Sequence, residues 1–223
     1  MEGMFEEAII FDGLISNWNV SSVTNTSFMF AGASSFNQPL NSWNVSSVTN
    51  MVGMFEDAIV FNGLISNWIT SSVTNMSFMF NSASAFNQPL DSWNVSNVTD
   101  MRATFLGASA FNRPLNSWIT SSVTTMVGMF EDAIAFNGLI SNWNTVSVTN
   151  MSFMFNRASA FNQQIGSWNT GNVTNMSYMF NGASVFNRNL SVWCVNLIPT
   201  KPEFFDAGAN AWTLAKPIWG TCP

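Results

Sequence analysis

Twelve carboxylates, six basic side chains and no histidine set the chemistry open to this chain. Without histidine, the commonest general base and the commonest metal ligand are both missing. No glycine-rich phosphate loop, Cys-x-x-Cys pair or serine beside a suitable base occurs either. The carboxylates show one pattern: Glu6-Glu7, Glu56-Asp57 and Glu131-Asp132 recur at a single position, just after Met-Phe. Paired acids beside backbone carbonyls can hold calcium. At ~4.8 Å per repeat, however, the pairs lie about 10 to 15 Å apart, too far to share an ion. Solvated charges that aid solubility explain them without a metal. No metal, cofactor or catalytic residue is assigned, and the chain reads as a non-enzyme.

Two polar columns remain. Asn19, Asn44, Ile69, Asn94, Ile119, Asn144 and Asn169 each follow a Trp and point away from the core of a short strand. They form a candidate binding face, with amide ladders that satisfy one another as the alternative. Thr24, Thr49, Thr74, Thr99, Thr124, Thr149 and Thr174 form a regular array of hydroxyl and methyl groups that could order water or bind ice. Capping of a following helix explains the same residues without a ligand. The sequons at Asn94 and Asn97 recur with the repeat and are weak evidence of glycosylation.

A strict repeat positions these columns. Trp18, Trp43, Trp68 and Trp93 begin a series that reaches Trp193 in steps of 25 with no insertion. Phe30, Phe55 and Phe80 belong to a second ladder, Phe36, Phe61 and Phe86 to a third, and Ala58 and Ala83 to a column between them. A period in this range is the mark of stacked repeats, because one 25-residue unit cannot bury its apolar face alone. Each column is therefore a core ladder, the Trp ladder included. Within one unit, Leu40, Trp43 and Val45 have strand spacing. Met51, Met54, Phe55 and Ala58 form the inward stripe of a short helix, capped by Thr49 or Asn50. "FNGLI" or "FNQPL" then turns the chain back, and Pro39, Pro89 and Pro114 suit that turn.

The resulting expectation is an α/β, right-handed, leucine-rich-repeat-like solenoid of about eight 25-residue coils, each with one short parallel strand and one short helix. Residues 1–193 form the solenoid, starting inside a repeat, and 194–223 its C-terminal capping unit. The opening "MEGMFEEAIIFDGLISNW" aligns with the segment from Met51, so the sequence reads as a piece of a longer repeat array with an uncapped first coil open to self-association. Its "EGMFEEAII" carries acids where a secretory signal carries positive charge. No stretch approaches the ~18 consecutive apolar residues of a membrane span. A net charge of −6 and six scattered basic residues exclude a nucleic-acid partner.

The units "FNQPLNSWNVSSVTNMVGMF" and "FNQPLDSWNVSNVTDM" resemble the 25-residue repeats of BspA-like leucine-rich-repeat surface proteins, which include mycoplasma-type surface lipoproteins. The closing segment from Val192 is similar to that family's C-terminal unit. The resemblance implies a secreted or cell-surface binding module for adhesion or protein recognition, with a protein or glycan partner on another cell or matrix. A structural spacer or filament subunit is the alternative. Val48 and its equivalents depart from the family by standing where a buried Asn is usual, so loop carbonyls must pair with Thr49 or Asn50. Cys194 and Cys222 both lie in the terminal unit and suit a disulfide worth roughly 3 kcal/mol, as in extracellular proteins. Two buried free thiols are the alternative.

Overall fold

A buried amide must find an acceptor, and the destinations of these amides decide the fold. The computed structural model describes residues 1–223. From Gly53 to Asp57, alternate amides leave the coil: Gly53 donates to the Ser77 carbonyl at 2.9 Å, Phe55 to Met79 at 2.9 Å and Asp57 to Asn81 at 2.8 Å. Between them, Met54, Glu56 and Ala58 fold back three residues, onto Met51, Gly53 and Phe55. None of these amides bonds to the residue four back, as a helix requires. Gly53 and Asp57 have φ of 57° and 53°, which no α-helix tolerates. The segment is a chain of tight turns whose amides alternate between their own coil and the next.

The strand expected at Trp43 and Val45 is absent as well. Trp43 donates back to Leu40 at 3.0 Å and Val48 to Val45 at 2.9 Å, two further turns. Parallel pairing survives one residue wide, at Asn25, Asn50, Asn75, Asp100, Thr125, Asn150 and Asn175. The α/β, right-handed, leucine-rich-repeat-like solenoid with a strand and a helix in each coil is therefore corrected: the protein has no helix and almost no strand. Beside the one-residue bridges, bonds run the other way, Thr49 donating back to Thr24 at 2.8 Å and Thr74 to Thr49 at 2.9 Å. Each coil is thus tied to both neighbours.

The apolar columns pack as one core. Within a coil the two Phe rings stack tightly, Phe55 on Phe61 at 3.9 Å and 5°. Between coils they continue in register, Phe55 over Phe80 at 5.7 Å and 5°. Trp118 and Trp143 stack at 6.1 Å. Each such pair adds about 0.5–1.5 kcal/mol beyond the area it buries. The indoles are also satisfied: Trp118 Nε1 donates to the Leu90 carbonyl at 2.9 Å and Trp143 Nε1 to Leu115 at 2.8 Å. Thr104 replaces Met in its column, and its buried hydroxyl donates to the Met101 carbonyl at 2.9 Å.

The C-terminal coil sets its core rings across the stack. Phe205 meets Phe180 at 86°, and Trp212 meets Phe186 at 87°. Trp219 lies edge-on to Phe205 at 82°. Asp206 binds both Lys201 and Lys216, and Cys194 is bonded to Cys222. Among buried side-chain polar atoms, Trp212 Nε1 alone lacks a partner. At the opposite end Ile10 and Leu14 are exposed.

Candidate recognition face

An Asn side chain is short enough to bond its own backbone two residues on, and the Asn column uses that property. Asn44 Oδ1 accepts the Ser46 amide at 3.1 Å and the Ser46 hydroxyl at 2.7 Å. Asn19, Asn94, Asn144 and Asn169 accept the amides of Ser21, Ser96, Val146 and Gly171 in the same way. These amides shape the turn after Trp within each coil. The exceptions are Ile69 and Ile119, which have no side-chain acceptor for this bond and are 61% and 60% exposed. Beside them, buried Thr70 and Thr120 donate to the carbonyls of Asn94 and Asn144 at 3.0 and 2.9 Å.

Between the coils of Trp93 and Trp118 this face opens into a depression of about 480 Å³. Asp91, Ser92, Asn94, Ser117 and Ile119 line it, with Trp93 and Val95 beneath. Asp91 holds one wall by accepting both the amide and the hydroxyl of Ser117 at 2.8 Å.

The Thr column is exposed from Thr24 to Thr174. With no helix to cap, its hydroxyls bond between coils instead. Thr49 Oγ1 donates to the Thr24 carbonyl at 3.2 Å, and Thr124 Oγ1 to Thr99 at 3.1 Å. The same carbonyls accept the Thr amides. The column is therefore a seam, with its hydroxyl protons committed to backbone. Asn50 caps a turn rather than a helix, accepting the Val52 amide at 3.1 Å.

The acidic pairs lie on the turn segment. Glu56 accepts a hydrogen bond from Asn81 at 2.7 Å, and Glu131 from Asn156 at 2.7 Å. Asn156 in turn accepts from Asn181 at 2.8 Å, linking three coils by side chains. Burial pushes the Glu131 carboxyl above the ordinary carboxylate range, with the Asn156 bond opposing it. These carboxylates bond across to the next coil, and no three acidic or thiol groups converge on one point.

One structural column is not evident from residue types. The Asn62 side chain accepts the Asn87 amide at 3.0 Å, Asn87 accepts that of Asn112 at 3.0 Å, and the series continues to Asn187. Asp12 begins it by accepting from Asn37 at 2.9 Å. The signal for it is the Asn that follows Phe in every "FN" unit, at the same 25-residue period.

The model of the family described as "Mycoplasma protein of unknown function, DUF285" matches residues 1–68, 43–136 and 113–213. These overlapping matches cover most of the chain, which belongs to that repeat family. No curated protein matches it.

Proposed function

We propose that the chain is a non-enzymatic recognition module, secreted or displayed at a cell surface, that binds a protein or glycan through the column following Trp. The observation that carries this reading is the depression at Asp91, Asn94 and Ile119, which opens on that column. Ile69 and Ile119 give up the turn-capping Asn of their sister coils and leave aliphatic surface in water. Such a substitution costs the coil a hydrogen bond, and a partner that buries the side chain would offset the loss. Membership of a mycoplasma repeat family and the likeness to BspA-like surface repeats favour surface display, and the Cys194–Cys222 disulfide suits an oxidising compartment. A spacer or filament subunit would use the same stack but would leave the depression without a role.

The test is charge insertion. Replacing both Asn94 and Ile119 with Lys should abolish capture of ligands identified on protein and glycan arrays while the variant still melts cooperatively, with only the small loss that goes with the Asn94 turn bond. Replacing Thr74 and Thr99 with Lys should leave capture intact. Loss of capture with the Thr variant alone would move recognition to the Thr seam and revive the water-ordering alternative.

A further inference from the structure

The repeat supplies its own comparison set, because successive coils solve one folding problem with the same columns. A residue that departs from its column without benefit to the coil is free to serve something outside the fold. Asp91 is such a residue. From Ser16 to Ser191 every other coil carries Ser, Asn or Gly in its column, so it is the one carboxylate there. Its fold role is to accept from Ser117, and neutral Asn does the same elsewhere: Asn116 accepts the Asn142 amide at 3.0 Å and Asn41 the Asn67 amide at 3.3 Å. The coil needs the oxygen and not the charge. Ile119 likewise stands where Asn serves the turn in most coils. The two departures meet in one depression.

No basic residue lines that depression. The chain has no spare cation to send there. Arg102 is bound to Asp100 at 2.7 Å and Arg157 to Asp132 at 3.5 Å, while Lys201 and Lys216 share Asp206. Arg113 and Arg188 each donate to a carbonyl, of Asn87 and Asn162, at 2.8 Å. All six basic side chains are thus engaged within the molecule, against a net charge of −6. No cation of the chain neutralises Asp91.

We infer that the depression receives a lysine or arginine side chain from a basic segment of a protein partner. The cationic head pairs with Asp91, Ser92 and Asn94 supply further acceptor oxygens, and the methylene stem lies along Ile119. A neutral glycan could donate hydroxyl hydrogen bonds to the carboxylate but would leave its charge unneutralised, whereas a cationic side chain satisfies both. This assignment rests on the column after Trp being the recognition face, and it names the chemistry read there.

The test uses the whole chain and a labelled synthetic peptide of alternating lysine and serine, with glutamine in place of lysine as the neutral control, followed by fluorescence polarisation. The lysine peptide should bind, more weakly as salt is raised, and the glutamine peptide should not. Asp91→Asn should weaken binding about fivefold or more, in the range of a single partly shielded ion pair. Ile119→Asn should weaken it about twofold or more through lost contact with the stem. Both substitutions install the residue of a sister coil, so neither should lower the melting temperature. Asp57→Asn removes a carboxylate outside the depression and should leave binding unchanged. Equal binding by the parent and Asp91→Asn, no binding of the lysine peptide, or its displacement by a neutral oligosaccharide would overturn the inference. Should Asp91→Asn have no effect on an array-identified partner while the Asn94 and Ile119 lysine variant loses it, the cation assignment falls and the recognition face stands. Should neither variant matter, both fall.

Discussion

Glu56 shows how the coils manage charge at the residue scale. Burial pushes its carboxyl above the ordinary 4.5; the Asn81 hydrogen bond opposes this, and Asp57 and Glu6 add repulsion. A carboxyl whose folded value is raised binds more protons in the folded state than in the unfolded, so stability falls as pH rises above 4.5 through the folded value. Conversely, lowering the pH from neutrality toward 4.5 relieves the cost at Glu56. Glu56→Gln keeps an oxygen for Asn81 and should raise the melting temperature at pH 7 while flattening this part of the pH profile. A thermal melt series from pH 7 to pH 4.5 checks it, and a lower melting temperature at pH 7 would contradict it. Asp206 behaves oppositely. Burial acts to raise it, but the bonds from Lys201 and Lys216 outweigh burial and hold it below the ordinary 3.8. Its contribution is present above 3.8 and is lost only as the pH falls through that lower value. Aromatic columns such as Phe55 and Trp118 were legible in the sequence because burial selects residue type directly. The Asn62–Asn87 column was not, since an Asn after Phe reads as an ordinary turn residue until its acceptor in the next coil is known.

The wrong element came from an ambiguity of spacing. Met51, Met54, Phe55 and Ala58 are all fully buried, as a helix stripe would be. A chain of tight turns that rolls one side inward produces the same spacing, so periodicity could not separate the two. Glycine carried the missing signal: Gly53 and Gly128 stand in one column of positive φ, Gly107 and Gly182 in the other. Phe78 at φ 59° and Ser82 at φ 57° occupy the same columns in a sister coil and masked it. Two glycines separate the two demands on this backbone. Gly107 has φ of 65°, and a Cβ there would meet nothing closer than 3.5 Å, so Gly107→Ala feels backbone strain alone and should cost about 1 kcal/mol. Gly63 lacks the positive φ, but its Cβ would fall 2.3 Å from the Gln38 carbonyl oxygen of the preceding coil. Gly63→Ala must push two coils apart and should cost about 2–3 kcal/mol. Denaturant melts of the two variants measure the ordering, and a Gly107→Ala cost equal to or above that of Gly63→Ala would contradict it.

At the scale of the whole molecule, the 25-residue period and the single core followed from the sequence because each coil is the template for the next. The way one coil holds another did not follow, since that information lies in backbone bonds to which side-chain type is nearly blind. Ring orientation at the C-terminal end was hidden for a related reason: Phe205 keeps the 25-residue step of Phe155 and Phe180, and the structure sets its ring across theirs. In a stack held this way, cooperativity passes from coil to coil through amides such as those of Phe55 and Phe80. The recognition proposal depends on that rigidity, because Asp91 and Ile119 belong to different coils and meet only while the coils stay in register. The most direct measurement is therefore the scalar coupling across the hydrogen bond of the Phe80 amide, read by nuclear magnetic resonance on isotope-labelled protein. The stacked-turn architecture predicts coupling to the carbonyl carbon of Thr104 in the next coil, across the 2.9 Å bond. Coupling to Met76, four residues back, would make the segment a helix and contradict the account.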